Sequence, residues 1–486
     1  MAGLQRTPRP SAKTTVIDVG GDLGTTTSNA VALDEQGVAV GEASLPTQWQ
    51  VPRTEWAQRD TETVDALVAA LLTAVLDAAG QAVNVSAVRS IGFTGMAESG
   101  TLLDASGQAR SPMIAWYDPR GRDELDSLPS DFVARFPGRT GLPVTPLASV
   151  FKLLWLRGQG VTLGNLQWLS LPEYVCHRLG GRRAAERSMI GRTGLWDIHT
   201  GQLLPQALDL LSADAGLVPE VAPAAATLGR VAAGNWGLDP RYAGAVLTVA
   251  GHDHLAAAAA SDAAHAGTVF DSMGTAEAFV CASPTLPDPT AVATLVALGV
   301  GTYSHVVSDT TALIAGMRTG LVLKRVLALT GLDDEPGRRS LDQVRLAPAG
   351  GAGYGVRVQG YEMAGAPVSI VIDDDEVTPV DVWRAALDSV TAGALALVDG
   401  IRSQGVDIAD VVVAGGWTRM PSVLATRTAL AESVRLAPDT QPGLRGAALM
   451  GRWASGAETH GIPPTDSPPA AWFAQWSRVS QPQEYP

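Results

Sequence analysis

Between Thr61 and Ala79, the side chains Val64, Leu67, Val68, Leu71, Leu72, Val75 and Leu76 recur at helical spacing, which commits the segment to a helix with one apolar face. Asp60 stands at its expected cap and Gly80 just past its expected end. Strand patterns flank it: Val16-Ile17-Asp18-Val19 and Ser28 to Leu33 before, the latter entering the turn Asp34-Glu35-Gln36-Gly37, and Val88 to Gly92 after. A hairpin, a helix and a further strand make an α/β unit, with the helix laid on the first sheet.

The second half follows the same plan without a detectable repeat. Thr378-Pro379 caps a long helix reaching about Gln404, Val411-Val412-Val413 is a strand, Gly415-Gly416 turns into a helix begun by Pro421, and Leu444 to Trp453 is a last core helix. At 486 residues the chain exceeds what one core supports, so two domains with a cleft between them are expected. The strand Val246-Leu247-Thr248-Val249 sets the boundary near residue 255. This gives an N-terminal domain over 14–254, a C-terminal domain over 255–455 and a tail over 456–486, which either wraps a surface or is disordered. Ala347 to Gly355 is glycine-rich but lacks the strand-then-helix setting of a dinucleotide loop, and reads as plain loop.

A formal charge of -14 opposes binding to nucleic-acid phosphate or anionic lipid, and no Lys/Arg-rich run offsets it, so neither partner is expected. The apolar fraction of 46% owes much to alanine, not to membrane-length runs. Met1 to Lys13 lacks the apolar core of a secretory signal and reads as the leader of a cytoplasmic protein. Cys176 and Cys281 form neither a disulfide framework nor a CxxC metal site, and read as buried thiols.

Four short motifs carry chemistry. Gly21-Asp22-Leu23-Gly24-Thr25-Thr26-Thr27 joins two strands, so that Asp22 can face a metal-bound nucleotide while hydroxyls and amides approach phosphate; a polar hairpin turn is the plainer alternative. Asp18, in the apolar run before it, is structural. Ala250-Gly251-His252-Asp253-His254 ends a strand at the domain junction, where a carboxylate can take a proton from a substrate hydroxyl; Asp253 as a helix cap, or His252 and His254 as ligands of a metal-dependent hydrolase, stay open. Asp271-Ser272-Met273-Gly274-Thr275 is a second Gly-Thr turn, and Ala414-Gly415-Gly416-Trp417 leaves room for a flat ring against backbone. No lysine stands in a GxxxxGK[ST] loop, so phosphate must be held another way.

In this order the motifs resemble those of the FGGY carbohydrate kinases, and the resemblance runs from about Val16 to Trp453. Asp22 to Val31 with Asp34 and Gly37 is similar to that family's opening. Gly92 to Gly100 resembles its sugar-facing loop, Trp116-Tyr117-Asp118-Pro119-Arg120 its W-x-D-x-R, and Ser149 to Leu156 most of its first signature. The second signature, between about Gly351 and Asp375, is not evident. Asn29 stands where Lys or Arg is common in the family, and His254 where Asn or Gln is common.

The resemblance implies two ribonuclease-H-like domains of the actin-like ATPase fold with a central cleft. It also implies ATP and Mg2+, a small sugar or polyol as partner, and Asp253 as catalytic base. Asp22 would lie near the metal, and Gly24, Thr25, Thr26, Gly274, Thr275, Gly316, Gly415 and Gly416 would surround the nucleotide. Met96, Glu98, Asp118 and Arg120 would line the sugar site. A homodimer is left open. An actin-like ATP-binding protein that phosphorylates no sugar is the rival from another class. Phe151, Leu154, Trp155, Leu156 and Trp196 read as core.

Overall fold

The computed structural model describes residues 14–342, 354–362, 367–457 and 466–477. The expected leader, most of the glycine-rich Ala347 to Gly355 stretch, part of the second-signature region and residues 458–465 and 478–486 of the tail lie outside them.

The first sheet contains β1 (Thr14–Leu23), β2 (Thr27–Leu33), β3 (Ala39–Pro46), β4 (Asn84–Gly95), β5 (Gly229–Arg230) and β6 (Val246–His252), in the order β5-β6-β4-β1-β2-β3. β1 pairs antiparallel with β2 and parallel with β4, which pairs parallel with β6. The second sheet contains β7 (Thr268–Met273), β8 (Glu277–Ser283), β9 (Val300–Ser304), β10 (Thr311–Met317), β11 (Asp410–Ala414) and β12 (Ser433–Leu436), in the order β9-β10-β8-β7-β11-β12. Here β7 pairs antiparallel with β8 and parallel with β11, so the plan of the first sheet repeats. Two lobes of the ribonuclease-H-like type result, as the sequence led one to expect.

Helix α1 (Thr61–Ala82) packs on β2, β3 and β4, and six of the seven stripe residues are buried, Leu67 being half-buried. It corrects the expected end: Gly80 lies inside the helix, where a side chain would meet open space, and Val83 is the C-cap. Asp60 occupies the N-cap position, but its Oδ2 accepts from Gln50 Nε2 at 2.9 Å instead of capping. No membrane-length apolar run was expected, yet among the described residues α1 alone is long and apolar enough to cross a membrane; here its apolar face fills the first-lobe core.

Between the lobes run α2 (Asp253–Ala260), which begins where β6 ends, and α5 (Pro442–Ala454), which pack on each other. Although α5 follows the second sheet in sequence, it lies on the first, against β1, β4 and β6. Two strand glycines permit this. A Cβ on Gly20 would sit 2.2 Å from Leu444 O, and one on Gly92 1.9 Å from Ala447 O. Buried Asp18 holds the far end of α5: it accepts from Arg452 Nε at 2.7 Å, Arg89 Nε at 2.9 Å and Ser90 Oγ at 2.6 Å, a structural role as expected. The described part of the tail packs on the body: α6 (Ala470–Ser477) buries Trp472, Phe473 and Trp476 in the interlobe core, with Arg445 Nη2 donating to Trp476 O.

Candidate active site

Strand register brings the two key carboxylates together. Asp22 pairs with Thr94 and Thr94 with Gly251, so the three form one row across parallel strands near their carboxyl ends, and Thr94 Oγ1 donates to Gly251 O at 2.6 Å. Two residues on, Asp253 opens α2, with His252 as its N-cap. A Cβ on Gly443, at the start of α5, would lie 3.7 Å from both Asp22 Oδ2 and Asp253 O, so two helix N-termini face the row. Such ends favour anions.

Asp253 Oδ1 accepts the His254 amide at 2.6 Å and lies 3.4 Å from His252 Nδ1 and 4.0 Å from His254 Nε2. Burial pushes this carboxyl up, but His254, His252, the His254 amide and Arg192 outweigh it and leave it below the ordinary carboxylate value. The base candidate is therefore ionised at neutral pH. Burial pushes the His252 imidazole down to about 4, so it is neutral. The turn is fixed from behind: the His252 amide donates to Ser188 Oγ at 3.0 Å, and Glu186 accepts the Ser188 hydroxyl at 2.5 Å.

Asp22 behaves oppositely. Its carboxyl is pushed up to about 7 by burial first and then by the charge of Asp253, and its Oδ1 is shielded from solvent with no hydrogen-bond partner. An unmet acceptor facing a second carboxylate fits a cation, and one or two carboxylates suit Mg2+, which keeps its other positions for water and phosphate. A carboxyl held above its unfolded value, 3.8, stabilises the fold fully below about pH 4, and that contribution is lost as the pH rises to about 7. The melting temperature of the metal-free protein is therefore expected to fall more across this window than that of Asp22→Asn. Parallel curves would show that the pair does not store this repulsion.

On the acceptor side, Thr25 and the Met96 to Glu98 loop meet. The Thr25 hydroxyl accepts from Trp116 Nε1 at 2.9 Å and donates to Met96 Sδ at 3.2 Å, while Trp49 Nε1 donates to Thr25 O at 2.8 Å. The expected phosphate role of Thr25 is thus corrected for its side chain, which turns to the aromatic loops; Thr26 beside it is exposed. Glu98 is buried, and its Oε1 accepts from Arg192 Nε at 2.6 Å and pairs with Arg192 Nη2.

The structure corrects the sugar-contact reading of Asp118 and Arg120. Both are buried; Asp118 Oδ2 accepts from the Ala57 amide at 2.7 Å and from Arg120 Nη2 at 2.7 Å, while Oδ1 accepts from the Arg120 amide and Nε. Arg120 also donates to Gln58 and lies between the Trp56 and Trp155 rings, 4.8 and 5.1 Å from their centres. Acid and base satisfy each other two residues apart, and the pair braces the loop that carries Trp116. Lys152 does the same from beneath, donating to the carbonyls of Trp116, Pro146 and Leu147 at 2.6 to 3.2 Å.

In the second lobe, the β7–β8 turn mirrors the β1–β2 turn, with Gly274 in the place of Gly24. A Cβ on Gly24 would sit 2.5 Å from Thr27 O; Gly274 N donates to Ala276 O at 3.0 Å, and Thr275 is exposed. Two other backbones crowd Gly274. A Cβ on Gly320 would lie 2.0 Å from its carbonyl, and one on Gly415, whose φ is +101°, would lie 2.4 Å from Met273 O. Gly416 is open, with nothing near its missing side chain, and Gly316 lies partly exposed on β10 opposite Ala278. This is a backbone cradle of the kind that admits phosphates and a flat ring. Sequence reasoning missed Gly320, Arg192, Ser188 and Gly443. Gly320 was signalled by its place at the start of α3 (Thr319–Thr330); for the others, no local pattern marks the contact.

The family model described as "FGGY family of carbohydrate kinases, N-terminal domain" matches residues 17–259. An L-fuculokinase from Salmonella typhi is 24% identical over 446 residues, covering 90% of this chain and 92% of that protein. A glycerol kinase from Acidovorax sp. (strain JS42) is 29% identical over 218 residues, and that match spans only 43% of the relative's length. Among solved structures, a xylulose kinase from Lactobacillus acidophilus superposes with a TM-score of 0.80 at 18% identity, covering 96% of both chains. Plasmodium falciparum glycerol kinase with ADP gives 0.81 at 16% identity, covering 97% of this chain and 93% of that one. At these identities the structural likeness is one of fold, and it agrees with the two lobes described above. Through the match of its first half, this chain belongs to the FGGY family of carbohydrate kinases.

Proposed function

We propose that this protein transfers the γ-phosphoryl group of ATP to a hydroxyl of a ketose or related polyol, with Asp253 as base. The observation that carries the reading is the Asp253 carboxylate at the start of α2, its Oδ1 held by the His254 amide at 2.6 Å. It stands beside Asp22 and near the Glu98–Arg192 pair, and the other lobe carries the glycine cradle at its matching turn.

The chemistry asks for positioning and charge neutralisation more than for covalent help. The Glu98 carboxylate accepts a substrate hydroxyl and orients the acceptor. Oδ1 of Asp253 is taken by the His254 amide, which leaves Oδ2 to accept the proton of the reacting hydroxyl as its oxygen bonds to the γ-phosphorus and the bond to ADP breaks. Gly24, Thr26 and Thr275 bring amides and hydroxyls to the phosphates; Gly274, Gly320 and Gly415, closely packed through their backbones, shape the cradle, and Gly316 and Gly416 leave room for the rest of the nucleotide. Asp22, with Asp253 beside it, would hold Mg2+, which when bound neutralises phosphate charge. His252 and His254 serve Asp253 in this reading; among the described residues no group of three or more His, Cys, Asp or Glu is arranged to hold a metal, so nothing favours the hydrolase alternative.

The test is a coupled ADP-release screen with ATP and Mg2+ over pentuloses, hexuloses, polyols and sugar acids. At least one neutral ketose or polyol should raise turnover well above the rate without acceptor. If none does, the actin-like ATP-binding alternative takes its place.

A further inference from the structure

We propose that Arg192 is a positioning residue for the acceptor: it fixes Glu98, and it is itself fixed by the ring of Tyr303 from the second lobe, so that acceptor binding is coupled to the approach of the lobes. This rests on the kinase reading above.

Three observations support it. Nε and Nη2 of Arg192 both converge on Oε1 of Glu98, and among the described residues nothing donates to Oε2, which is left for a substrate hydroxyl. The guanidinium carbon lies 4.4 Å from the centre of the Tyr303 ring, so one of its faces is covered by an aromatic. Tyr303 lies on β9 of the second sheet, yet its side chain packs in a core of first-lobe residues that includes Phe136, Phe151 and Trp196. The contact thus joins the two lobes at the acceptor pocket. With side-chain exposures of 12% and 5%, Arg192 and Glu98 are largely out of water, and a planar fork loses little freedom in gripping one oxygen. Lysine keeps the charge but supplies neither the fork nor the flat face.

Steady-state kinetics with the acceptor found in the screen test this. Arg192→Lys is expected to raise the acceptor KM by about 10-fold or more while the ATP KM moves by less than about 2-fold, the pattern of lost acceptor binding. Tyr303→Leu should raise the acceptor KM in the same sense, and Tyr303→Phe, which keeps the ring, should recover most of that loss. An unchanged acceptor KM in Arg192→Lys, or an equal rise for ATP, overturns the positioning role. A rise in Arg192→Lys with none in Tyr303→Leu overturns the coupling to the second lobe. If Arg192→Lys does not fold, the two Tyr303 variants decide on their own, since an unchanged acceptor KM in Tyr303→Leu again overturns the coupling. Turnover with unaltered constants sinks this proposal alone, whereas a wild-type protein that no acceptor stimulates sinks the kinase reading and this with it.

Discussion

Asp253→Asn is expected to lower acceptor-stimulated ADP release by about 100- to 10,000-fold, the usual contribution of a positioned general base, without unfolding the protein. The amide keeps the size of the carboxylate and can still accept the His254 amide through its oxygen. It cannot take a proton from the acceptor. The same change should bring the Asp22 carboxyl back toward its ordinary value, because it removes the charge that, after burial, helps push it up. Turnover within about 3-fold of wild type would exclude Asp253 as the base.

The largest loss of stability is expected from Arg427→Ala. Arg427, Asp271 and Glu277 are all without solvent exposure; Arg427 Nε lies 3.1 Å from Asp271 Oδ2, and Arg427 Nη2 lies 2.6 Å from Glu277 Oε1. Removing the cation leaves two buried carboxyl groups uncompensated, at a cost of about 3–5 kcal/mol. Even with the arginine present, the Asp271 carboxyl is held well above its usual range by burial and by Glu277. Such a group stabilises the fold while protonated, so the variant should lose more at pH 8 than at pH 5 when melting is compared with wild type. Glu277 also takes the hydroxyl of Thr319, the residue before Gly320 in the cradle, so the ATP KM of any folded variant should rise. A melting temperature equal to wild type at both pH values would show that the triad carries no stability.

Much of the framework was legible in local sequence, because it depends on near neighbours. Helix α1 forms where its stripe said, since seven apolar residues at helical spacing can be buried together in only one way. The Thr378 cap of α4 (Pro379–Arg402) is present, with its hydroxyl accepting the Asp381 amide. Gly80 misled because a glycine on the exposed side of a helix costs only about 1 kcal/mol, less than the burial on either side returns. Asp118 and Arg120 misled for a different reason. Two charges in a recognisable motif invite a ligand, but at that spacing they reach each other first.

The sequence by itself determined two α/β units, the turns at Gly24 and Gly274, and the acid at the end of the strand before α2. Each follows from residues within a few positions of one another, where backbone preference and side-chain period decide. Only the tertiary structure decided that Asp22 stands in one row with Gly251, two residues before Asp253, that α5 crosses back onto the first sheet over Gly20 and Gly92, and that Arg192 meets Glu98 under Tyr303. Those contacts join residues far apart in the chain and depend on strand order and lobe packing, which no local pattern encodes.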